Sequence, residues 1–484
     1  MTARVSATAA AGHRNAFQLI PENKMKERRK YRHLVSAVSG LVLLAMLTLC
    51  FAAVWQQFYA DMIIAPFFRR GNWVVILIYT VLTELVFKAY GCTKFGYLKR
   101  SDLIYYQAIG VSIVNFITYF QISVIGRDFM RIEPMILLTL ADWMLVVMWT
   151  IAVTHASFRL FPPRRLVIVY GSRKAAELVL KMSSRVDKYM ICESISCAVG
   201  WRRIAEAIEG FDGVILCEMP AELRNDVLKH CCARRIRAYI APKISDILMR
   251  GGDELRLFDT PLILCRNEGL TLWQRFWKRS FDITVSLLLL ILLSPALIFC
   301  AAAVKLEDGG KIFYRQKRLT RDGRVFDMLK FRSMIPDAEA DGVAVLAAEH
   351  DDRITKTGAV LRHFRLDELP QLINILRGDM SLVGPRPERP ELAAEIEKSC
   401  PEFVCRLQVK AGLTGYAQVY GKYNTSALDK LKLDLVYITN FSLMLDFQII
   451  METLKILFSK ESTEGFTATK SAEMHDRNLE NDTQ

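Results

Sequence analysis

The sequence predicts a three-part chain: an α-helical membrane anchor, an α/β (Rossmann-like) middle domain, and an α+β membrane-associated catalytic domain with a re-entrant helix. Three observations predict it. Four long apolar runs fill the first third of the chain. Strand-like and helix-like segments alternate from residue 164 to about 242. A fifth apolar stretch, 281–304, is interrupted by Ser294-Pro295 and is basic at both ends.

At 484 residues the chain has room for two or three domains, and 52% of its residues are hydrophobic. That share and a mean hydropathy of +0.19 are high for a soluble protein, which brings membrane segments forward. A net charge of +13 suits anionic lipid headgroups or phosphorylated substrates. It suits nucleic acid least, because no recognised binding module accompanies the apolar spans. The eleven cysteines show no CxxC pair and no His/Cys ligand spacing, so reduced cytosolic thiols without a zinc site are expected.

Residues 1–34 form a basic N-terminus, with Lys24, Lys26, Arg28, Arg29, Lys30 and Arg32 crowded before the first apolar run. An uncleaved anchor fits this better than a signal peptide, whose core is shorter and ends at a small-residue cleavage site. Four transmembrane helices are expected within 35–158, at about 35–57, 73–91, 103–125 and 134–157. The connections near 58–72 and 126–133 carry only Arg69, Arg70, Arg127 and Arg131. Lys88, Lys94, Lys99 and Arg100 follow the second run, and Arg159, Arg164 and Arg165 follow the fourth. The positive-inside rule then puts the N-terminus and everything after 158 in the cytosol. Glu84 and Asp142 lie within the runs; an ion path is one reading of such acids and interhelical hydrogen bonding the preferred one.

The middle domain is expected at 159–270. RRLVIVYGSRKAAELVLKM (164–182) reads as strand, turn and helix, GVILCEMP (213–220) as a second strand with a helix through about 232, and RAYIAP (237–242) as a third. The first turn offers Gly171 and Ser172 without the three glycines of a dinucleotide loop, so a cofactor-free domain for assembly or regulation is expected.

Pro295 bends the apolar stretch 281–304 and Ser294 offers a hydroxyl to a freed carbonyl. Lys278 and Arg279 before it, and Lys305, Lys311, Arg315, Lys317 and Arg318 after it, ask for both ends on one side of the membrane. A re-entrant segment satisfies that charge pattern; a proline-kinked spanning helix is the alternative. A hairpin follows, with its turn at Asp322-Gly323 and a basic end at Lys330 and Arg332. A linker or short helix is expected over 335–352, and a disordered tail over 459–484.

In RHFRLDELPQLINILRGDMSLVGPRP (362–387), Asp367 and Glu368 precede an amphipathic helix with Pro370 in its first turn and Gly378 at its end. The pair is thereby expected at the positive end of the helix dipole. A DE pair is most often only a cap, but here Arg362, Arg365, Arg377 and Arg386 surround it, which suits phosphate chemistry with a metal.

Residues from about 275 to 458 resemble the bacterial sugar transferase family. The motifs are KRSFDI (278–283), Ser294-Pro295, FYRQKR (313–318), KFRSM (330–334), LDELPQLINILRGDMSLVGPRP (366–387), AGLTGYAQVYG (411–421) and LDLVYITNFSLMLDFQI (433–449). The resemblance extends the catalytic domain over 271–458. It implies transfer of a hexose 1-phosphate from a UDP-sugar to undecaprenyl phosphate, with release of UMP, at the start of exopolysaccharide, capsule or O-antigen synthesis. The implied enzyme is a multi-pass protein of the bacterial inner membrane with its catalytic domain on the cytosolic face. Asp367 is the implied nucleophile, and Glu368 the implied partner of Mg²⁺, with Asp434 a further candidate ligand. Lys330, Arg332, Arg362 and Arg386 are expected around the phosphates, and Gly412, Thr414 and Gly415 in a substrate loop. The family usually has Pro-Gly where this chain has Ala411-Gly412. Expected partners are the UDP-sugar, undecaprenyl phosphate, the bilayer and a second copy through the middle domain. Direct displacement with a metal-bound Asp367 is the alternative mechanism, and a non-catalytic scaffold of polysaccharide assembly the alternative class.

Overall fold

The computed structural model describes residues 31–60, 71–171, 175–183, 185, 187–266, 268–335, 353–421 and 425–458. The basic residues before Tyr31, Arg69 and Arg70, Ser172, the segment 336–352 and the tail lie outside these. The chain divides into two compact units, Met1–Ala241 and Pro242–Gln484.

In the first unit the four apolar runs are helices: α1 (Arg32–Val54, continued by a π-helical turn Trp55–Tyr59), α2 (Gly71–Tyr90), α3 (Arg100–Gly126) and α4 (Glu133–Leu160). All four are long and apolar enough to cross a membrane. Phe51 stacks on Tyr79 at 4.0 Å between α1 and α2. Leu41, Leu85, Val124 and Met148 on these helices stay exposed. Asp142 joins helices as expected, accepting from Asn115 Nδ2 at 3.1 Å, while Tyr79 donates to Asn115 Oδ1 at 3.1 Å. Glu84 does not: it pairs with Lys88, one turn along its own helix, at 2.7 Å.

An α/β region follows in the same unit. Its strands are β1 (Arg164–Tyr170), β2 (Tyr189–Ser196), β3 (Gly213–Cys217) and β4 (Arg237–Ile240). All are parallel, in the order β2-β1-β3-β4. The connecting helices are α5 (Ala175–Ser183), α6 (Trp201–Glu209) and α7 (Ala221–Ala233). Strand periodicity sends Val167, Val169, Val214 and Leu216 to the face covered by Ile204, Ile208 and Val227. Leu166, Ile168 and Ile215 take the other face, against Ala175 and Leu178. Burial on both faces explains why β1 and β3 are continuous apolar runs. Gly171 is needed for close approach, since a Cβ there would lie 2.2 Å from the Glu218 carbonyl oxygen.

The second unit opens with α8 (Ile244–Arg250) and a hairpin of β5 (Asp253–Leu257) and β6 (Thr260–Leu264). Two helices, α9 (Leu272–Leu292) and α10 (Ser294–Asp308), then meet at a bend of 65°. Ser294 Oγ donates to the Ile291 carbonyl at 2.8 Å, the compensation its hydroxyl was expected to supply. Pro295 occupies the first turn of α10, where a missing N–H costs nothing. Strands β7 (Phe313–Leu319) and β8 (Val325–Phe331) form the expected hairpin around Asp322-Gly323, with Asp322 left-handed at φ 59°. The remainder is α11 (Lys356–His363), α12 (Gln371–Arg377), β9 (Ser381–Val383), α13 (Pro390–Ser399), β10 (Gly412–Thr414), α14 (Tyr416–Tyr420), α15 (Ala427–Thr439) and α16 (Leu443–Phe458). Its core gathers Leu372, Ile375, Met380, Val383, Leu431, Leu435, Tyr437 and Ile449.

Candidate active site

The acidic pair sits in its own turn rather than in α12. Leu366–Glu368 form a 3₁₀ turn entered through Arg365 at φ 58°, and Pro370 stands at the N-cap of α12 instead of inside its first turn. Gly378 ends α12 as expected, left-handed at φ 93°. Asn374, fully buried, fixes α12 to β8. Its Oδ1 accepts from Leu329 N at 2.9 Å and its Nδ2 donates to the Asp327 carbonyl at 2.9 Å. The next residue on that strand is Lys330, whose Nζ lies 3.0 Å from Glu368 Oε1. Arg386 Nη2 approaches the same oxygen at 3.9 Å.

The two acids are thereby made unlike. Burial raises the Glu368 carboxyl, yet Lys330 and Arg386 together carry it below the ordinary range. Burial and then the Glu368 charge push Asp367 up, and Lys330, Arg362 and Arg365 only partly offset this. Among the described residues no hydrogen bond or ion pair reaches the Asp367 carboxylate, although Asp367 is 7% exposed. A concave surface beside Glu368 is lined by Lys330, Arg318, Gln371, Arg386, Gly412 and Gln418.

Three of the expected cations face this region: Lys330 and Arg386 through Glu368, and Arg362 through its field on Asp367. Arg332 does not; it pairs with Asp308 at the end of α10. Gly412 lines the cleft, whereas Thr414 turns its hydroxyl to Thr453 Oγ1 at 2.6 Å. Gly415 serves backbone packing, since a Cβ there would meet the Gly384 carbonyl oxygen at 2.1 Å. Ala411 donates its N–H to Thr320 Oγ1 at 3.2 Å, a hydrogen bond that proline at this position lacks.

Asp434 is placed apart from the pair. It is 1% exposed and its Oδ2 lies 2.8 Å from Arg406 Nη2. Arg406 also approaches Glu388 Oε1 at 3.4 Å and donates to the Arg386 carbonyl at 3.0 Å. Asp434 therefore supports the Gly384–Pro387 turn from behind instead of joining Asp367 and Glu368. Among the described residues no group of three or more acid, His or Cys side chains is gathered for a metal.

Arg318, Gln371, Gln418 and Arg406 were not singled out from the sequence. Arg318, Gln371 and Gln418 carried a signal only as members of FYRQKR, LDELPQLINILRGDMSLVGPRP and AGLTGYAQVYG, and Arg406 lies in no such motif. Burial and then Arg389 bring the Arg318 guanidinium down to about 10, and its Nη1 donates to the Pro387 carbonyl at 3.1 Å.

Burial raises the Asp434 carboxyl to about 6. The native state binds this proton more tightly than the unfolded chain does. The group thus favours the fold at low pH, and that contribution is lost as pH rises from about 4 through about 6. The ion pair with Arg406 forms over the same rise. Wild-type turnover should exceed that of Asp434→Asn at neutral pH, and the ratio should fall toward one below about pH 6. A ratio constant across the pH profile would detach Asp434 from the Arg386 turn.

Helices long and apolar enough to cross a membrane in the first unit, and a carboxylate pair set among arginine and lysine in the second, define the class: a protein with membrane-length helices and a carboxylate–cation site. The bacterial sugar transferase model matches residues 273–460. The chain is 36% identical over 255 residues to an undecaprenyl-phosphate glucose phosphotransferase of Komagataeibacter xylinus, covering 50% of this chain and 48% of that protein. It is 39% identical to the exopolysaccharide production protein ExoY of Rhizobium meliloti, covering 37% of this chain and 83% of ExoY. It is also 39% identical to the UDP-glucose:undecaprenyl-phosphate glucose-1-phosphate transferase of Escherichia coli, with 43% and 44% covered. The chain thus spans about half the length of the first and last of these relatives. It belongs to the bacterial sugar transferase family.

Proposed function

We propose that this chain is a phosphoglycosyl transferase that moves a hexose 1-phosphate from a UDP-sugar to undecaprenyl phosphate at the cytosolic face of the bacterial inner membrane. The names of its relatives support the lipid acceptor. The observation that carries the chemistry is the division of labour within the acidic pair: Glu368 is engaged by Lys330 and Arg386, while Asp367 is buried beside it. A carboxylate oxygen of Asp367 attacks the sugar-bound phosphorus of the donor. The bridging P–O bond breaks, its electron pair leaves on UMP, and an aspartyl-phosphosugar remains. An oxygen of undecaprenyl phosphate then attacks the same phosphorus and the Asp367 carboxylate departs, giving undecaprenyl-diphospho-sugar. Lys330, Arg362, Arg386 and Arg318 neutralise charge on the non-bridging oxygens.

The donor set suits Mg²⁺. Asp367 and Glu368 offer only oxygen ligands, and Mg²⁺ is commonly held by one or two carboxylates together with waters and substrate phosphates. When bound, the ion supplies charge neutralisation at the diphosphate and favours the ionised form of Asp367, which its surroundings oppose. With no third acid gathered beside the pair among the described residues, Mg²⁺ binding should tighten when the donor is present.

The bent pair α9–α10 is a re-entrant membrane helix in this reading, with basic residues at both ends and the break at Ser294-Pro295. It holds the acidic pair at the depth of the lipid phosphate. The parallel four-stranded sheet of the first unit is a Rossmann-like domain. Two measurements test the proposal. A panel of UDP-sugars with undecaprenyl phosphate should release UMP only with Mg²⁺ present, and chelation should abolish release; no release from any donor overturns the transferase reading. Cysteines introduced between residues 310 and 318 should be labelled only after the cells are opened. Labelling from outside intact cells would instead make α9–α10 a full crossing.

A further inference from the structure

A second group of cations gathers at the far end of α12, about 10 Å of helix away from Asp367. Three loops and one helix meet there. Thr320, 2% exposed, donates Oγ1 to the Asp379 carbonyl at 2.7 Å and accepts the Ala411 N–H at 3.2 Å. This fastens the 320–324 turn to residues 378–379 and 410–411. Arg279 of α9 reaches in from the fourth side and caps α12, with Nη1 2.5 Å from the Ile375 carbonyl and Nη2 2.7 Å from that of Leu376. A Cβ on Gly378 would lie 3.5 Å from both Arg279 Nη2 and Lys410 Nζ, so the two cations flank the same glycine.

The acids present do not balance this charge. Arg324 pairs with Asp379 at 2.9 Å and Arg321 with Asp322 at 3.1 Å. Asp282, the remaining nearby acid, spends Oδ1 on Ser381 Oγ at 3.0 Å and Leu382 N at 3.1 Å. Lys410, half-buried, has no hydrogen bond or ion pair among the described residues. We propose that Lys410, Arg279, Arg321 and Arg324 form a binding site for a phosphate-bearing anion, separate from the carboxylate pair. Three guanidinium groups and an ammonium converging from different segments match a phosphate with two free oxygens. Burial, then Arg279 and Arg321, hold the Lys410 ammonium below the ordinary lysine range, the state of a cation awaiting a counter-charge. Two sources share this chemistry. Arg279 lies just before the apolar stretch 281–304, so an anionic lipid headgroup is one source, resting on the proposed entry of that stretch into the membrane; free phosphate is the other.

The test uses the full chain in nanodiscs of phosphatidylcholine, melted with and without inorganic phosphate at matched ionic strength, and again in discs containing phosphatidylglycerol. The wild type should melt higher with one or both anions. Lys410→Met and Arg321→Gln should need about tenfold more anion for the same shift, while Lys410→Arg and the active-site variant Arg386→Gln keep most of it. Without anion, Lys410→Met should melt no lower than wild type, because it removes a cation from among cations. A shift with phosphatidylglycerol alone assigns the site to lipid, and a shift with inorganic phosphate alone assigns it to a soluble phosphate. The proposal is overturned if neither anion shifts the wild type, or if Lys410→Met melts lower with its anion shift intact. That last result would make Lys410 a structural residue. Because the readout is melting, this outcome is independent of whether sugar transfer occurs.

Discussion

Asp367→Asn should lose about 10⁴-fold or more in UMP release while folding at least as well as the wild type. The size follows from removing the atom that forms the bond: about 5 kcal/mol of barrier corresponds to that factor. The folding half follows from the environment of the side chain. Burial and the neighbouring Glu368 raise its folded-state carboxyl above the unfolded value, so at neutral pH the ionised group opposes folding. Asparagine keeps the shape and removes that charge. A lost activity with an unchanged or higher melting temperature therefore separates chemistry from misfolding.

The same variant distinguishes two-step transfer from direct displacement. Wild type incubated with labelled UDP-sugar and no lipid should retain label on the protein and exchange UMP into the donor; Asp367→Asn should do neither while still binding the donor. If wild-type protein turns over but never carries label or exchanges UMP, the lipid phosphate attacks the donor directly. Glu368→Gln should behave differently. It frees Lys330 and Arg386 from their shared acid, so its loss should be accompanied by a higher Mg²⁺ requirement.

What the sequence disclosed was whatever depends on neighbours along the chain. Apolar length marked the four helices of the first unit, Asp322-Gly323 marked the hairpin turn, and Ser294-Pro295 marked the bend between α9 and α10. Strand β2 and helix α6 were not read. YMICESIS exposes half of its side chains at a sheet edge and buries only Ile195, so it lacks the apolar run that betrays β1 and β3. The candidate site was legible in its acids and less so in its cations. Lys330 and Arg332 are two residues apart on one strand end, yet Lys330 meets Glu368 and Arg332 meets Asp308. That choice is set by where α10 ends, which no local pattern encodes. Asp434 was ambiguous for the same reason: only tertiary packing brings Arg406, 28 positions earlier by numbering, against it.

Lys278→Met should cost about 3–5 kcal/mol of stability, the largest structural loss expected from a single change outside the cleft. Lys278 Nζ lies 2.6 Å from Asp446 Oδ2, with side-chain exposures of 6% and 0%. The Tyr437 hydroxyl donates to Asp446 Oδ1 at 2.8 Å, and Lys278 also lies over the rings of Tyr437 and Phe441. One carboxylate thus ties α9, where the bent pair begins, to α15 and α16. Removing the cation leaves that carboxylate buried with a phenol as its partner. Burial already raises the Asp446 carboxyl, and Lys278 is the chief influence holding it down. Without Lys278 the acid should take up a proton, so the defect should be mild in acid and grow as pH rises toward neutrality. Melting curves across that range decide the matter. The double change Lys278→Met with Asp446→Leu should recover most of the loss, because an apolar pair of similar volume has no charge to strand. A single variant as stable as wild type at neutral pH would mean that the start of α9 is held by its apolar contacts alone.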